Sequence, residues 1–229
     1  MLKLKINTLH FILFLICCTL APSCKHSKGK TCLQEGDLLF QNLNCGDLCD
    51  AIETVTEGVD GKDFSHCAMV VNINDTLKVI EAIGKQVQVN TIDKFISRSG
   101  DTTLVKNIAV GRLKKAYENL IPNAASTAKQ LVGQPYDDEF IINNGKWYCS
   151  ELIYEAFKKA NNQNDFFELE PMTYKDPKTN SFFPAWVDYY KKLNTDIPQG
   201  KPGTNPGLIS RSNKIQIIKV NSFNNINCQ

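Results

Sequence analysis

The sequence predicts a mixed α+β domain, and three observations predict it. Short apolar runs with the period-two alternation of strands follow one another between residues 64 and 89, an apolar stripe at helical spacing runs on from Cys149, and Gly, Pro, Asn and Asp punctuate the chain between these segments. With 229 residues, 42% hydrophobic and 22% charged, the composition is that of an ordinary globular chain, neither disordered nor fibrous, and one main domain is expected.

The N-terminus reads as an export signal. Lys3 and Lys5 make a basic start, and the apolar run 11–20 is too short to span a bilayer comfortably. Ala21-Pro22-Ser23-Cys24 resembles a bacterial lipobox, in which Cys24 is lipidated and becomes the first residue of the mature protein. The expected layout is a signal peptide over 1–23, a polar tether over 24–31 that carries the solvated His26, and one domain over 32–229. Acyl chains on Cys24 would anchor the protein to a membrane, which places it in an exported bacterial cell envelope, on the periplasmic side or at the outer membrane.

The elements follow in order. Gly36-Asp37-Leu38-Leu39-Phe40 reads as a turn and short strand; Leu48, Ile52 and Val55 stand near helical spacing, so 48–56 reads as a helix stopped by Gly58. A strand over 64–71, a turn over 72–76, a second strand over 77–83 and a third over 86–89 form a meander. Thr91 caps a short helix to Ser97, and 104–113 supplies another strand. Pro122 opens a helix that runs to Val132 and stops at Gly133. A helix beginning near Cys149 buries Leu152, Ile153, Ala156, Phe157 and Ala160, with Glu151, Glu155, Lys158 and Lys159 expected on its outer side. The remainder reads as loop-rich, with Gly200, Pro202, Gly203, Pro206 and Gly207 in one stretch before a last strand over 215–220.

Charge and cysteine content narrow the function classes. The net charge is +2 and the basic residues are interspersed with acidic ones, so no basic stripe for nucleic acid is present. Cys32, Cys45, Cys49 and Cys228 suffice for two disulfides in any of three connectivities, while strand alternation points Cys67 into apolar company with Met69 and Val71 as a free thiol. A zinc site from Cys45, Cys49, His66 and Cys67 is the competing reading, but the spacing is not one that structural zinc modules favour; no metal or other cofactor is expected.

Of the three histidines, His10 and His26 fall in the leader and tether, which leaves His66 alone in the domain. Thiol catalysis needs a base to take the nucleophile's proton, so any such mechanism passes through His66, with Cys149 as its best partner. A cysteine in the first turn of a helix meets unpaired N–H groups and the positive end of the helix dipole, which favour thiolate. Glu81 is the candidate that orients the imidazole: an even-numbered hairpin loop puts it on the sheet face of His66, an odd-numbered one on the opposite face. Taken singly, each residue also has a plain reading, as a core cysteine, a structural histidine and a solvated glutamate.

Together, Gly36-Asp37-Leu38-Leu39-Phe40, Phe64-Ser65-His66, Val79-Ile80-Glu81-Ala82, Gly133-Gln134-Pro135-Tyr136-Asp137, Tyr148-Cys149-Ser150-Glu151-Leu152 and the tail Gly203-Thr204-Asn205-Pro206-Gly207 resemble the circularly permuted papain-like NlpC/P60 enzymes, specifically the YiiX/YaeF-like group. The histidine strand precedes the cysteine helix, the reverse of ordinary papain-like order. The resemblance implies an antiparallel sheet or small barrel with packed helices, nucleophile Cys149, base His66 and orienting Glu81. Tyr136 resembles a site-lining tyrosine that binds substrate, with ordinary aromatic packing as its alternative. Asp37 reads as a turn residue. Cys67 stands where relatives often carry a small or aliphatic residue.

The expected function is a cysteine hydrolase of amidase or peptidase type, cleaving an amide or ester in a cell-envelope substrate through a Cys149 acyl-enzyme. Cell-wall peptide and lipid or N-acyl compounds are the substrate candidates. The alternatives are a lipid-directed acyltransferase or acyl hydrolase, and a non-catalytic ligand-binding module on the same fold.

Overall fold

A computed structural model describes residues 32–43, 45–99 and 108–218. The leader, the tether with Cys24, Cys228 and the ends of two predicted strands, 104–107 and 219–220, lie outside the described residues.

Six strands form one antiparallel sheet: β1 (Leu38–Gln41), β2 (His66–Ile73), β3 (Thr76–Ile83), β4 (Gln86–Asn90), β5 (Ile108–Leu113) and β8 (Ile215–Ile218), in the order β4-β3-β2-β1-β5-β8. The sheet is open, with β4 and β8 as its edges, so of the two expected forms it is the sheet and not the closed barrel. The β2–β3 hairpin turns on two residues, Asn74 and Asp75, both at positive φ (50° and 60°), and closes at the pair Ile73↔Thr76. Asn and Asp tolerate that left-handed conformation, and the resulting twist matches that of the strands. The loop is even-numbered, so Glu81 and His66 share a face.

Strand alternation divides the core into two layers. On one face Phe40, Cys67, Met69, Ile80 and Ala82 pack against α3 (Ile121–Gln130) and α4 (Cys149–Ala160). On the other, Leu39, Ala68, Val70 and Val79 pack against α2 (Ile92–Ser97), whose cap Thr91 accepts a hydrogen bond from the Lys94 N–H at 3.1 Å. Pro122 lies in the first turn of α3, as expected.

Residues 161–214, read as loop-rich, hold two helices. α5 (Pro184–Leu193) packs Trp186 and Tyr190 with Tyr174 and with Ala51 of α1 (Asp47–Val55), in a third, aromatic cluster. α6 (Pro206–Ser210) lies in the tail behind a two-stranded ribbon of β6 (Glu170–Pro171) and β7 (Pro202–Gly203). One further expectation is corrected on α4. Glu151, expected on the outer side, is 1% exposed, because the segment before α4 folds back over this turn and the Asn143 N–H donates to its Oε1 at 3.1 Å.

Asp37 is a buried turn residue. It accepts from the Gln34 N–H at 2.9 Å and holds the Arg112 guanidinium with both oxygens, each at 2.7 Å. Cys45 is bonded to Cys49, which selects one of the three connectivities and removes both sulfurs from any zinc site; Cys32 is disulfide-bonded as well. Cys67 and Cys149 are free and buried.

Candidate functional site

The site forms where the sheet splits. The β2–β3 ladder ends at Met69↔Ile80, yet β2 stays paired with β1 as far as His66↔Gln41, and β3 with β4 as far as Ile83↔Gln86. His66 and Glu81 therefore stand on diverging strands, and the N-terminus of α4 meets them there, with the Cys149 thiol near enough to His66 and Cys67 for both to act on its charge.

His66 is 3% exposed and Glu81 fully buried, and the His66 Nε2–H donates to Glu81 Oε2 at 2.6 Å. That bond fixes the tautomer and leaves Nδ1 for Cys149. Two residues not foreseen in the sequence complete Glu81: Asn90 Nδ2 donates to Oε1 at 2.8 Å, and the Arg98 guanidinium donates to both oxygens. Parity gave a signal for Asn90, which pairs with Val79 on β4 and so lies diagonal to Glu81 on the same face. Arg98 follows α2, and nothing in its local pattern marks it.

The charges follow from this arrangement. The Cys67 hydrogen bond holds the Cys149 thiol well below the ordinary thiol range, burial opposes this, and the His66 hydrogen bond and charge add to the lowering. Burial pushes the Cys67 thiol well up instead. Burial also works against a charged His66, but hydrogen bonds to Cys149 and Glu81 outweigh it and push the imidazole up to about 9. Glu81 is raised by burial and lowered more by His66 and then by Arg98, which leaves it below the usual carboxylate range. These directions all favour a Cys149 thiolate beside a His66 imidazolium and a Glu81 carboxylate. α4 starts without a side-chain cap, so the Cys149 N–H, which no intrahelical acceptor takes, is available to an oxyanion.

Beside this group lies a cavity of about 270 Å³, lined by Leu48, Ile52, Phe140, Met172 and Trp186, together with Tyr136, His66 and Cys149. Tyr136 is half-buried, in edge-to-face contact with Phe140 at 6.4 Å, and burial raises its phenol well above the usual range. It lines the cavity and packs on an aromatic neighbour as well. Among the described residues no Lys, Arg, Asp or Glu lines the cavity. The tail helps to close it: Ser150 Oγ donates to the Thr204 carbonyl at 3.0 Å, the Thr204 N–H donates to the Tyr148 hydroxyl oxygen at 3.2 Å, and Thr204, Asn205 and Pro206 reach the cavity wall.

Glu151, two residues beyond Cys149, has a carboxyl pushed up to about 8 by burial, with one oxygen left without a partner. An acid whose folded pKa is raised stabilises the fold fully below its unfolded value and loses that contribution as pH rises through the folded one. Glu151→Gln is expected to match wild type near pH 5 and to melt a few degrees higher at pH 8.5. Thermal denaturation at the two pH values checks this, and equal melting shifts at both would contradict it.

Comparisons with known proteins place the chain in a family. Residues 32–219 match the family described as permuted papain-like amidase enzyme, YaeF/YiiX, C92 family. The uncharacterized protein YiiX of Escherichia coli strain K12 is 29% identical over 127 residues, which span 56% of this chain and 58% of that protein. A crystal structure of metalloprotein yiiX from Escherichia coli O157:H7 superposes with a TM-score of 0.66 at 23% identity, covering 82% of this chain and 98% of that one. Among the described residues no group of three or more His, Cys, Asp and Glu is placed to hold an ion, and Glu81 is already engaged by His66, Asn90 and Arg98.

Proposed function

The chain belongs to the permuted papain-like amidase family of YaeF and YiiX, which makes it an enzyme of cysteine hydrolase type, and on that premise we propose that it cleaves an amide or ester through a Cys149 acyl-enzyme. The observation that carries this reading is the His66–Glu81 hydrogen bond of 2.6 Å beside a buried free thiol, Cys149, at the start of α4, with both His66 and Cys149 lining one cavity. The Cys149 thiolate attacks the scissile carbonyl, and the developing oxyanion is held by the Cys149 N–H. His66 gives its proton to the leaving amine or alkoxide, then takes one from water as the thioester is resolved. Glu81 holds the imidazole in the tautomer these steps need.

The cavity favours one of the two substrate classes. Cell-wall peptides carry carboxylates and amines, and a wall with no Lys, Arg, Asp or Glu among the described residues offers them no charged partner beyond the Cys149–His66 pair itself. The aliphatic and aromatic lining suits an apolar acyl group, so a lipid or N-acyl compound is the favoured substrate, drawn from the envelope to which a lipidated Cys24 would tether the enzyme. The test is mass spectrometry of the protein incubated separately with membrane lipid extract and with muropeptides. An adduct on Cys149 or product release with lipid is the expected result; turnover of muropeptides alone would reverse the substrate assignment, and neither would favour a binding module.

A pH profile follows. His66 must carry its proton to serve the leaving group, so kcat/KM is expected to hold steady through neutral pH and to fall as His66 titrates at about 9. The stabilising contribution of His66 has the same sign, present in full below the unfolded imidazole value and lost as pH rises through about 9. A profile that falls with a midpoint between pH 6 and 7 would contradict the assignment.

A further inference from the structure

We propose that Arg98 is a positioning residue for the Cys149–His66 pair, acting through Glu81. The inference rests on the cysteine-hydrolase reading and adds to it the group that keeps a fully buried carboxylate charged and aimed. Glu81 is 0% exposed, and a buried carboxylate without a compensating charge is driven to take up a proton. Three side chains face it. From β2 comes His66, whose charge is shared with the Cys149 thiolate; from β4 comes Asn90, a neutral donor; and from the end of α2 comes Arg98, a full charge on both oxygens.

The charge count shows why the last of these matters. A thiolate, an imidazolium and a carboxylate leave one net negative charge in the split of the sheet, and Arg98 brings the sum to zero. Its placement is built. The guanidinium carbon lies 5.5 Å from the centre of the buried Phe95 ring, and the other neighbour of that ring is His66, with ring centres 5.8 Å apart. Phe95 thus packs against both the guanidinium and the imidazole, and their donors meet at Glu81 Oε2. Asn90 takes Oε1, Arg98 Nη2 bridges Oε1 and Oε2, and Oε2 also accepts from His66 Nε2, so the carboxylate is held from three sides. Cys149 itself faces His66 and Cys67 on β2 and the phenols Tyr136 and Tyr148; none of these supplies a permanent positive charge.

Removing a positive charge raises the titration of every acid near it, so the effect is read at the thiol. The experiment is the rate of Cys149 alkylation by iodoacetamide against pH, in wild type, Arg98→Met and Arg98→Lys, with folding checked by circular dichroism. In Arg98→Met the acid midpoint is expected to move up by about one pH unit or more, with kcat falling more than KM rises. Arg98→Lys, whose ammonium can take the place of Nη2 between the two oxygens, is expected to recover most of the wild-type midpoint. Arg98→Gln carries the same expectation as the Met variant and replaces it if that protein does not fold. A depressed wild-type midpoint that stays unchanged in the neutral variants would overturn the role of Arg98. A wild-type midpoint already at the ordinary thiol value would instead overturn the Cys149–His66 reading on which it rests.

Discussion

Cys149→Ala is expected to lose at least about 10⁴-fold in turnover while keeping the melting temperature of the parent within a few degrees. The size of the loss follows from covalent catalysis: without the sulfur there is no acyl-enzyme, and what remains is the effect of binding the substrate beside an oxyanion donor. The fold should tolerate the change because the residue opens α4 at a position 7% exposed, alanine is a good helix former, and the burial of Leu152, Ile153, Ala156 and Phe157 is untouched. Turnover with the favoured lipid substrate, measured beside a melting curve, checks both halves. A variant that stays folded and keeps a tenth of the wild-type rate would place the chemistry elsewhere.

His66→Ala carries the second largest effect, because one side chain does two things. It stabilises the Cys149 thiolate, and it carries the proton for the leaving group and for water. Without it the thiol moves up toward its ordinary range, where only a few per cent is ionised at pH 7, so alkylation at neutral pH is expected to slow by at least about tenfold. Turnover loses the proton transfer as well and is expected to fall on the order of 10³-fold. Glu81 keeps its contacts with Arg98 and Asn90 in this variant, so the β3–β4 side of the site has no reason to collapse. Equal alkylation of wild type and variant at pH 7 would break the link between the imidazole and the thiol. Glu81→Gln should also slow turnover, but it strands Arg98 beside a neutral amide, so its effect mixes chemistry with packing.

Much of this site was legible before any coordinates. His66 stood out as the domain's only imidazole, and the turn residues Asn74 and Asp75 left a loop count that decides the face of Glu81; the two-residue turn at positive φ settles that count. Apolar periodicity placed α4 and its cysteine. What stayed out of reach depends on contacts between distant segments. Arg98 reaches Glu81 across 17 residues, and the Thr204 carbonyl meets Ser150 across 54, and no local pattern encodes either. Glu151 was misread for the same reason: spacing along α4 gave its angle, but the segment that covers it belongs to the preceding loop. The aromatic helix α5 was hidden by Pro184 and by flanking turn residues, although a proline in a helix's first turn is a start signal. Cys67 was placed correctly by alternation on the face with Met69 and Val71, but its contact with Cys149 was not visible, because that contact depends on β2 and β3 parting.

The split of the sheet is what brings three buried residues together. A continuous β2–β3 ladder would leave no room for a helix terminus between His66 and the cavity, whereas the divergence beyond Met69↔Ile80 puts the thiol, the imidazole and the N–H of Cys149 around one point. The apolar cavity opens beside that point. The most direct measurement of the central claim is the intact mass of enzyme quenched in acid during turnover of the lipid substrate, followed by mapping of the modified peptide. An added mass equal to the acyl group, located on Cys149 and absent from Cys149→Ala, is the predicted result; sustained turnover with no acyl group on Cys149 at any time point would contradict it.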